Sequence, residues 1–218
     1  MNWIQSEAYI FDMDGVLIDS VSTHARCWDV VAERLGRIHK PEHMQMGNGQ
    51  TSLSYVQNVL QWTQDRQEAQ RIVDEKENIY KELVDEEGVN LVDGARQLLR
   101  HLQEKKLPLA VGTSAPTKNA DYLLEKAGIR SYFDGVVTAE DVERGKPDPE
   151  VFLKAAQSLG VEPAKCVVFE DAAAGIKAAK AGGMYVVALT TTQSAVDLQE
   201  AHAIYPSLDP IWRLLSSS

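Results

Sequence analysis

The chain has 218 residues, 44% hydrophobic and 25% charged, which excludes a disordered chain, a collagen-like repeat and a small disulfide scaffold, and allows a substantial core. Lysine and arginine number 22 against 32 aspartates and glutamates, a formal charge of −10. That acidity argues against nucleic acid and anionic membrane as partners, since both usually need a basic face, while a small phosphate stays open to it wherever a local cation reverses the field. In chain order, Ala8–Phe11 reads as a short buried strand. Little strand signal follows before Leu109. Helical stripes take its place: Trp28/Val31/Ala32/Leu35, then Val56/Val59/Leu60, then the long, charged Ala69/Ile72/Val73/Ile79/Tyr80/Leu83, on which Lys76 and Lys81 read as part of a charged face.

From Ala95 a regular alternation begins. The stripe Ala95/Leu98/Leu99/Leu102 precedes a strand at Leu109–Gly112. Ala120/Leu123/Leu124/Ala127, stopped by Gly128, precedes a strand at Gly135–Thr138. Phe152/Ala155/Ala156/Leu159, stopped by Gly160, precedes a strand at Val167–Phe169. The Ala-rich stretch Ala172–Gly182 precedes the last strand, Tyr185–Leu189, and Ser216–Ser218 reads as a frayed end. Strand and helix in turn imply an α/β fold with a doubly wound, parallel, Rossmann-like sheet. The interval after the first strand is too long for an ordinary crossover. It reads as a small helical cap over 17–87, inserted into a core made of 1–16 and 88–218.

Cys27 and Cys166 are too few for a secreted framework and read as buried thiols. No apolar run nears the roughly 18 residues of a membrane span. Met1–Gln5 lacks the basic and apolar regions of a signal peptide. The expected protein is cytoplasmic and, lacking an apolar stripe to pair, monomeric.

The chemistry concentrates where strands end. Asp12-Met13-Asp14-Gly15 follows the first strand, at the edge where open α/β sheets bind ligands. Thr113-Ser114 closes the second strand, Lys146-Pro147 follows the third, and Glu170-Asp171 closes the fourth. Each has a bland reading alone: a solvated turn, a helix N-cap, a surface lysine, a capping pair. Together they bring carboxylates, a hydroxyl and an ammonium to one edge of one sheet, in an order that chance rarely produces. Four carboxyls gathered in one cleft need a hard cation, and an all-oxygen set suits Mg²⁺.

On these residues the chain resembles the haloacid dehalogenase superfamily, and within it the β-phosphoglucomutase-like phosphatases with a helical cap after the first strand. The resemblance covers nearly the whole chain; it is specific in the core, where all four family motifs stand in order, and weak in the cap. It implies an Mg²⁺ ion on the Asp12 carboxylate, the Asp14 carbonyl and Asp171, with Glu170 reaching it through water. It implies Asp12 as the nucleophile that takes up the phosphoryl group, Asp14 as general acid and base, and Lys146, Thr113 and Ser114 as its phosphate-binding groups. The second aspartate and the Glu170-Asp171 pair set it apart from the family's dehalogenases, which lack both that aspartate and the metal. The phosphonatases' cap lysine is not expected among Lys40, Lys76 and Lys81.

The cap would choose the substrate. His24 matches a histidine that in the mutase hydrogen-bonds near the acid/base aspartate, though a helix-surface imidazole is also open. Gln50, in the stretch Gly47–Leu53, falls near the place of the mutase arginine that grips a distal phosphate; the match is soft, and a hinge loop is the other reading. Glutamine cannot supply that charged, bidentate grip. The expectation is therefore an Mg²⁺-dependent phosphatase acting on a small phosphomonoester such as a sugar phosphate, with a sugar phosphomutase second, pyrophosphate hydrolysis within reach, and a binding-only phosphometabolite protein third. Cap closure is expected to hinge near Val16–Ser20 and Glu86–Asn90.

Overall fold

The computed structural model describes residues 3–46 and 52–217. Contacts divide the chain into two compact units, 20–88 and 1–19 with 89–218. The sheet unit holds six parallel strands: β1 Ala8–Phe11, β2 Leu109–Gly112, β3 Gly135–Val137, β4 Cys166–Glu170, β5 Tyr185–Leu189 and β6 Ala203–Tyr205. Their spatial order is β3-β2-β1-β4-β5-β6. Phe11 stands in register with Val111 on one side and Phe169 on the other. The order reverses between β1 and β4, and that switch point opens a crevice at the strands' carboxyl ends.

Strands β1, β2 and β4 are buried at every position, because side chains cover both faces of the sheet. Period-two alternation sends Tyr9, Phe11 and Phe169 to one face, where Phe11 and Phe169 stack at 4.8 Å and Trp3 meets Phe169 edge-on. Ile10, Ala110, Val168 and Val186 share a second cluster with Phe152, Ala155 and Ile176. Both cysteines are free and buried.

Two elements of this unit lie beyond the sequence expectation. Strand β6 has only three residues, half-exposed or exposed, so it carries no apolar run to read. The C-terminal helix Asp209–Ser216 takes in Ser216, which the sequence placed in a frayed end. Arg213 Nε donates to Asp209 Oδ2 one turn back, and the Ser216 and Ser217 hydroxyls donate to the Arg213 carbonyl.

The border between units falls slightly beyond the sequence estimate. Val16, Leu17 and Ile18 are buried, Ile18 bridges to Leu91, and Val92 N–H donates to the Leu17 carbonyl. These bonds hold 17–19 with the sheet unit.

The helical unit contains α1 Ser20–Leu35, α2 Pro41–Met46, α3 Ser52–Ser54 running into a π-helical stretch Tyr55–Val59, and α4 Arg66–Glu87. Asp65 caps α4 by accepting from Glu68 N–H. Trp28 packs on Tyr55 and Trp62, with ring centroids 5.1 and 6.1 Å away. Lys76 corrects the charged-face reading of α4. Its side chain is 3% exposed, Nζ lies 2.8 Å from Glu77 Oε1 and over the Tyr80 ring, and its methylene stem buries as apolar surface. Among the described residues no helix is long and apolar enough to cross a membrane.

Candidate active site

The chain leaves β1 through a tight turn. Asp12 N–H still donates to the Phe169 carbonyl, so Asp12 is held at the strand end, beside β4. The amides of Leu17 and Ile18 then fold back onto the Met13 carbonyl, and Gly15 N–H donates to the Ile18 carbonyl. This turn places Gly15 at φ +75°, which favours glycine. Space requires glycine too, since a Cβ there would overlap Asp171 Oδ2. Asp12 and Asp171 are buried; Asp14, on the same turn, is half-buried.

Lys146 reaches the same place. Its Nζ lies 2.6 Å from Asp12 Oδ1 and 2.7 Å from Glu170 Oε1, and all three side chains are nearly sequestered from solvent. The other Glu170 oxygen accepts from the amides of Asp171 and Ala172, at 2.7 and 2.8 Å. Glu170 is thus fixed from two directions. Gly175, in the helix Ala173–Ala181, leaves the room this needs: a Cβ there would overlap Glu170 Oε1.

Charge in this pocket is unbalanced. Burial pushes the Asp12 carboxyl well above the usual carboxylate range, and Glu170 and Asp14 add to this against the pull of Lys146. Burial, then the charges of Asp12 and Glu170, raises Asp171 as well. Burial would lower Lys146, but the charges and hydrogen bonds of Asp12 and Glu170 outweigh it and hold the ammonium above its ordinary value. Three carboxylates face one ammonium. Asp12, Glu170 and Asp171 each offer an oxygen, and these oxygens lie within 4.8 Å of one another. A buried all-oxygen set with excess negative charge fits a hard divalent cation such as Mg²⁺.

Thr113 sits at the end of β2, next to β1 in the sheet, and is buried. Its amide donates to the Val137 carbonyl, and its Oγ1 accepts from Ala115 N–H, which shapes the loop that follows. Ser114 beside it is exposed. The sheet unit therefore brings Asp12, Glu170, Asp171 and Lys146 together, with Asp14 on the turn after Asp12 and near enough to raise its carboxyl, and sets Thr113 and Ser114 at the same sheet edge. His24 belongs to the helical unit, on α1. It stacks on Tyr80 at 4.7 Å, and its buried Nδ1 has no hydrogen-bond partner among the described residues. Gln50 lies outside the described residues.

The residues after β5 escaped the sequence reading. Thr191 Oγ1 donates to the Gly15 carbonyl at 2.5 Å, and Thr192 Oγ1 lies 2.5 Å from Asp171 Oδ2. Gln193 Oε1 accepts from Ala173 N–H. The available signal was the hydroxyl run Thr190-Thr191-Thr192 at the carboxyl end of a buried strand.

Comparison with known proteins adds three kinds of likeness. A family model described as haloacid dehalogenase-like hydrolase matches residues 7–183. The validoxylamine A 7′-phosphate phosphatase of Streptomyces hygroscopicus subsp. limoneus is 36% identical over 93% of this chain and 94% of its own. A fructose-1-phosphate phosphatase of Escherichia coli is 38% identical over 82% of this chain and 93% of its own. The crystal structure of a β-phosphoglucomutase from Clostridium difficile superposes with a TM-score of 0.74 at 27% identity, covering 97% of this chain and 98% of that one.

Proposed function

The chain belongs to the haloacid dehalogenase-like hydrolases, in their β-phosphoglucomutase-like branch, and on that premise we propose that it is an Mg²⁺-dependent phosphatase of a small phosphomonoester of the sugar-phosphate class. The supporting observation is the buried Asp12 carboxylate, paired with Lys146 at 2.6 Å and close enough to Glu170 and Asp171 for all three to share a cation. Fructose 1-phosphate, named for one relative, supports the substrate class.

In this reading an Asp12 oxygen attacks phosphorus, the bond to the leaving alcohol breaks, and the phosphoryl group stays on Asp12 as an acyl phosphate. Asp14 gives a proton to the departing oxygen, then takes one from the water that hydrolyses the acyl phosphate. Lys146, already against Asp12, meets the phosphoryl oxygens as they arrive. Thr113 and Ser114 hold those oxygens from the end of β2. Asp12, Asp171 and the Asp14 carbonyl would hold Mg²⁺, with Glu170 behind them, and the ion would supply the positive charge that lets an anionic carboxylate approach an anionic phosphate.

The test is phosphate release from sugar phosphates, nucleotides, phosphoglycolate and pyrophosphate, with Mg²⁺ or EDTA. Release with Mg²⁺, lost in EDTA and reduced about 10³-fold or more in Asp12→Asn, is expected. Equal rates in the variant would overturn the nucleophile. Conversion of β-glucose 1-phosphate to the 6-phosphate with a bisphosphate primer, without phosphate release, would make the protein a mutase instead.

A further inference from the structure

Three consecutive residues after β5 each make side-chain contacts, on the turn after β1, on Asp171 or on the first residue of the helix Ala173–Ala181. Thr191 Oγ1 donates to the carbonyl of Gly15, the residue after Asp14. Thr192 Oγ1 lies 2.5 Å from Asp171 Oδ2 and 3.0 Å from the Asp171 carbonyl, so one hydroxyl meets both the side chain and the backbone of Asp171. Gln193 Oε1 accepts from Ala173 N–H, just beyond it. Strand β5 pairs with β4, with Ala188 opposite Glu170, so the segment leaves the sheet directly beside Asp171.

The three carboxylates are oriented by different means. Asp12 and Glu170 are both gripped by Lys146, and Glu170 also by two amides. Asp171 is gripped by Thr192. The fit is close: a Cβ on Gly15 would meet Asp171 Oδ2 and, at 2.8 Å, the Thr192 methyl group. Thr192 therefore supplies both a donor that selects one carboxylate oxygen and a methyl that packs against the turn.

We infer that Thr192 is a positioning residue for the metal site, orienting the Asp171 carboxylate through its hydroxyl, with Thr191 bracing the turn that carries Asp14. The inference rests on the reading of Asp171 as a metal ligand. Groups that orient a metal ligand commonly change affinity by about 10–100-fold when removed. A hydroxyl that served packing alone would be replaced without that loss by valine, which has the same shape.

Isothermal titration of the substrate-free protein with Mg²⁺, alongside thermal unfolding in EDTA, tests it. Wild type binds Mg²⁺ and Asp171→Asn does not. Thr192→Val binds about 10–100-fold more weakly, while Thr192→Ser, which keeps the hydroxyl, stays near wild type. Wild-type affinity in Thr192→Val, with binding still lost in Asp171→Asn, overturns the positioning role and leaves the metal site standing. Equal weakening in Thr192→Val and Thr192→Ser, tracking lower unfolding temperatures, overturns it in favour of packing. Failure of wild type to bind Mg²⁺ overturns the metal reading and this inference with it. Should Thr192→Val not fold, Thr192→Ala replaces it, with Mg²⁺ binding weakened in Thr192→Ala and kept in Thr192→Ser as the supporting result and equal binding in the two as the contrary one.

Discussion

The two units of the chain hold their buried polar groups in different ways. In the sheet unit, Asp12 and Glu170 meet Lys146, Glu170 also takes two amides, and Asp171 meets the Thr192 hydroxyl. In the helical unit, His24 lies against the Tyr80 ring with an unpartnered Nδ1 among the described residues, and Lys76 is sunk into the fold beside a half-exposed Glu77. The first arrangement fixes oxygens at stated positions, as attack on phosphorus requires. The second fixes rings and stems by packing and leaves polar atoms with fewer commitments. Changes in the sheet unit should therefore act on rate, and changes in the helical unit on stability and its dependence on pH.

That contrast can be broken from its strong end. Asp14→Asn keeps the shape of the side chain and removes its proton transfer. It should lower kcat by about 10²–10⁴-fold with an unchanged unfolding temperature. Wild-type rates with every phosphoester would remove Asp14 from the chemistry.

Gly175→Ala separates site geometry from helix stability. Alanine is favoured over glycine in a helix interior by about 1 kcal/mol. Yet the added Cβ would overlap Glu170 Oε1, so the carboxylate must move away from Lys146. Activity should fall about 10–100-fold while the protein stays folded. Full activity would show that Glu170 has freedom that the contacts around it deny.

The smallest effect belongs to the helical unit. Burial, then the charge of Lys76, pushes the His24 imidazole from 6.5 down to about 3. Above the ordinary value the ring is neutral in both folded and unfolded chains. As pH falls below it, the unfolded chain takes up a proton that the folded one refuses, so stability drops through the window from 6.5 to about 3. Each pH unit there costs at most about 1.4 kcal/mol. His24→Phe keeps a ring against Tyr80 and removes the titration, so its unfolding midpoint should fall less steeply across that window. Parallel slopes for the two proteins would contradict the burial of a neutral His24.

The same contrast explains what could be read from residues alone. Strands β1, β2, β4 and β5 are short apolar runs because their neighbours bury them, and that burial is written directly in residue type. Strand β6, with its half-exposed residues, carries no such mark. Asp12, Asp14, Lys146, Glu170 and Asp171 were legible because each stands at the end of a strand that could be located. Thr191, Thr192 and Gln193 stand at such an end too, but hydroxyls and amides are common there, and only the pairing of β5 with β4 brings Thr192 to the Asp171 carboxylate and its neighbours to Gly15 and Ala173. Lys76 was misread because its burial depends on an ion pair with its immediate neighbour and a ring one turn on, neither of which a charge pattern distinguishes from a solvated face.

In the proposed reaction the phosphoryl group passes through Asp12. The most direct test of this step is mass spectrometry of the peptide containing Asp12, from acid-quenched reactions of wild type and Asp14→Asn with the best phosphoester, sampled through turnover. A phosphoryl group on Asp12 is expected during turnover of the wild type, with both its appearance and its loss slower in Asp14→Asn. Phosphate release in both proteins with Asp12 unmodified at every time point would contradict it.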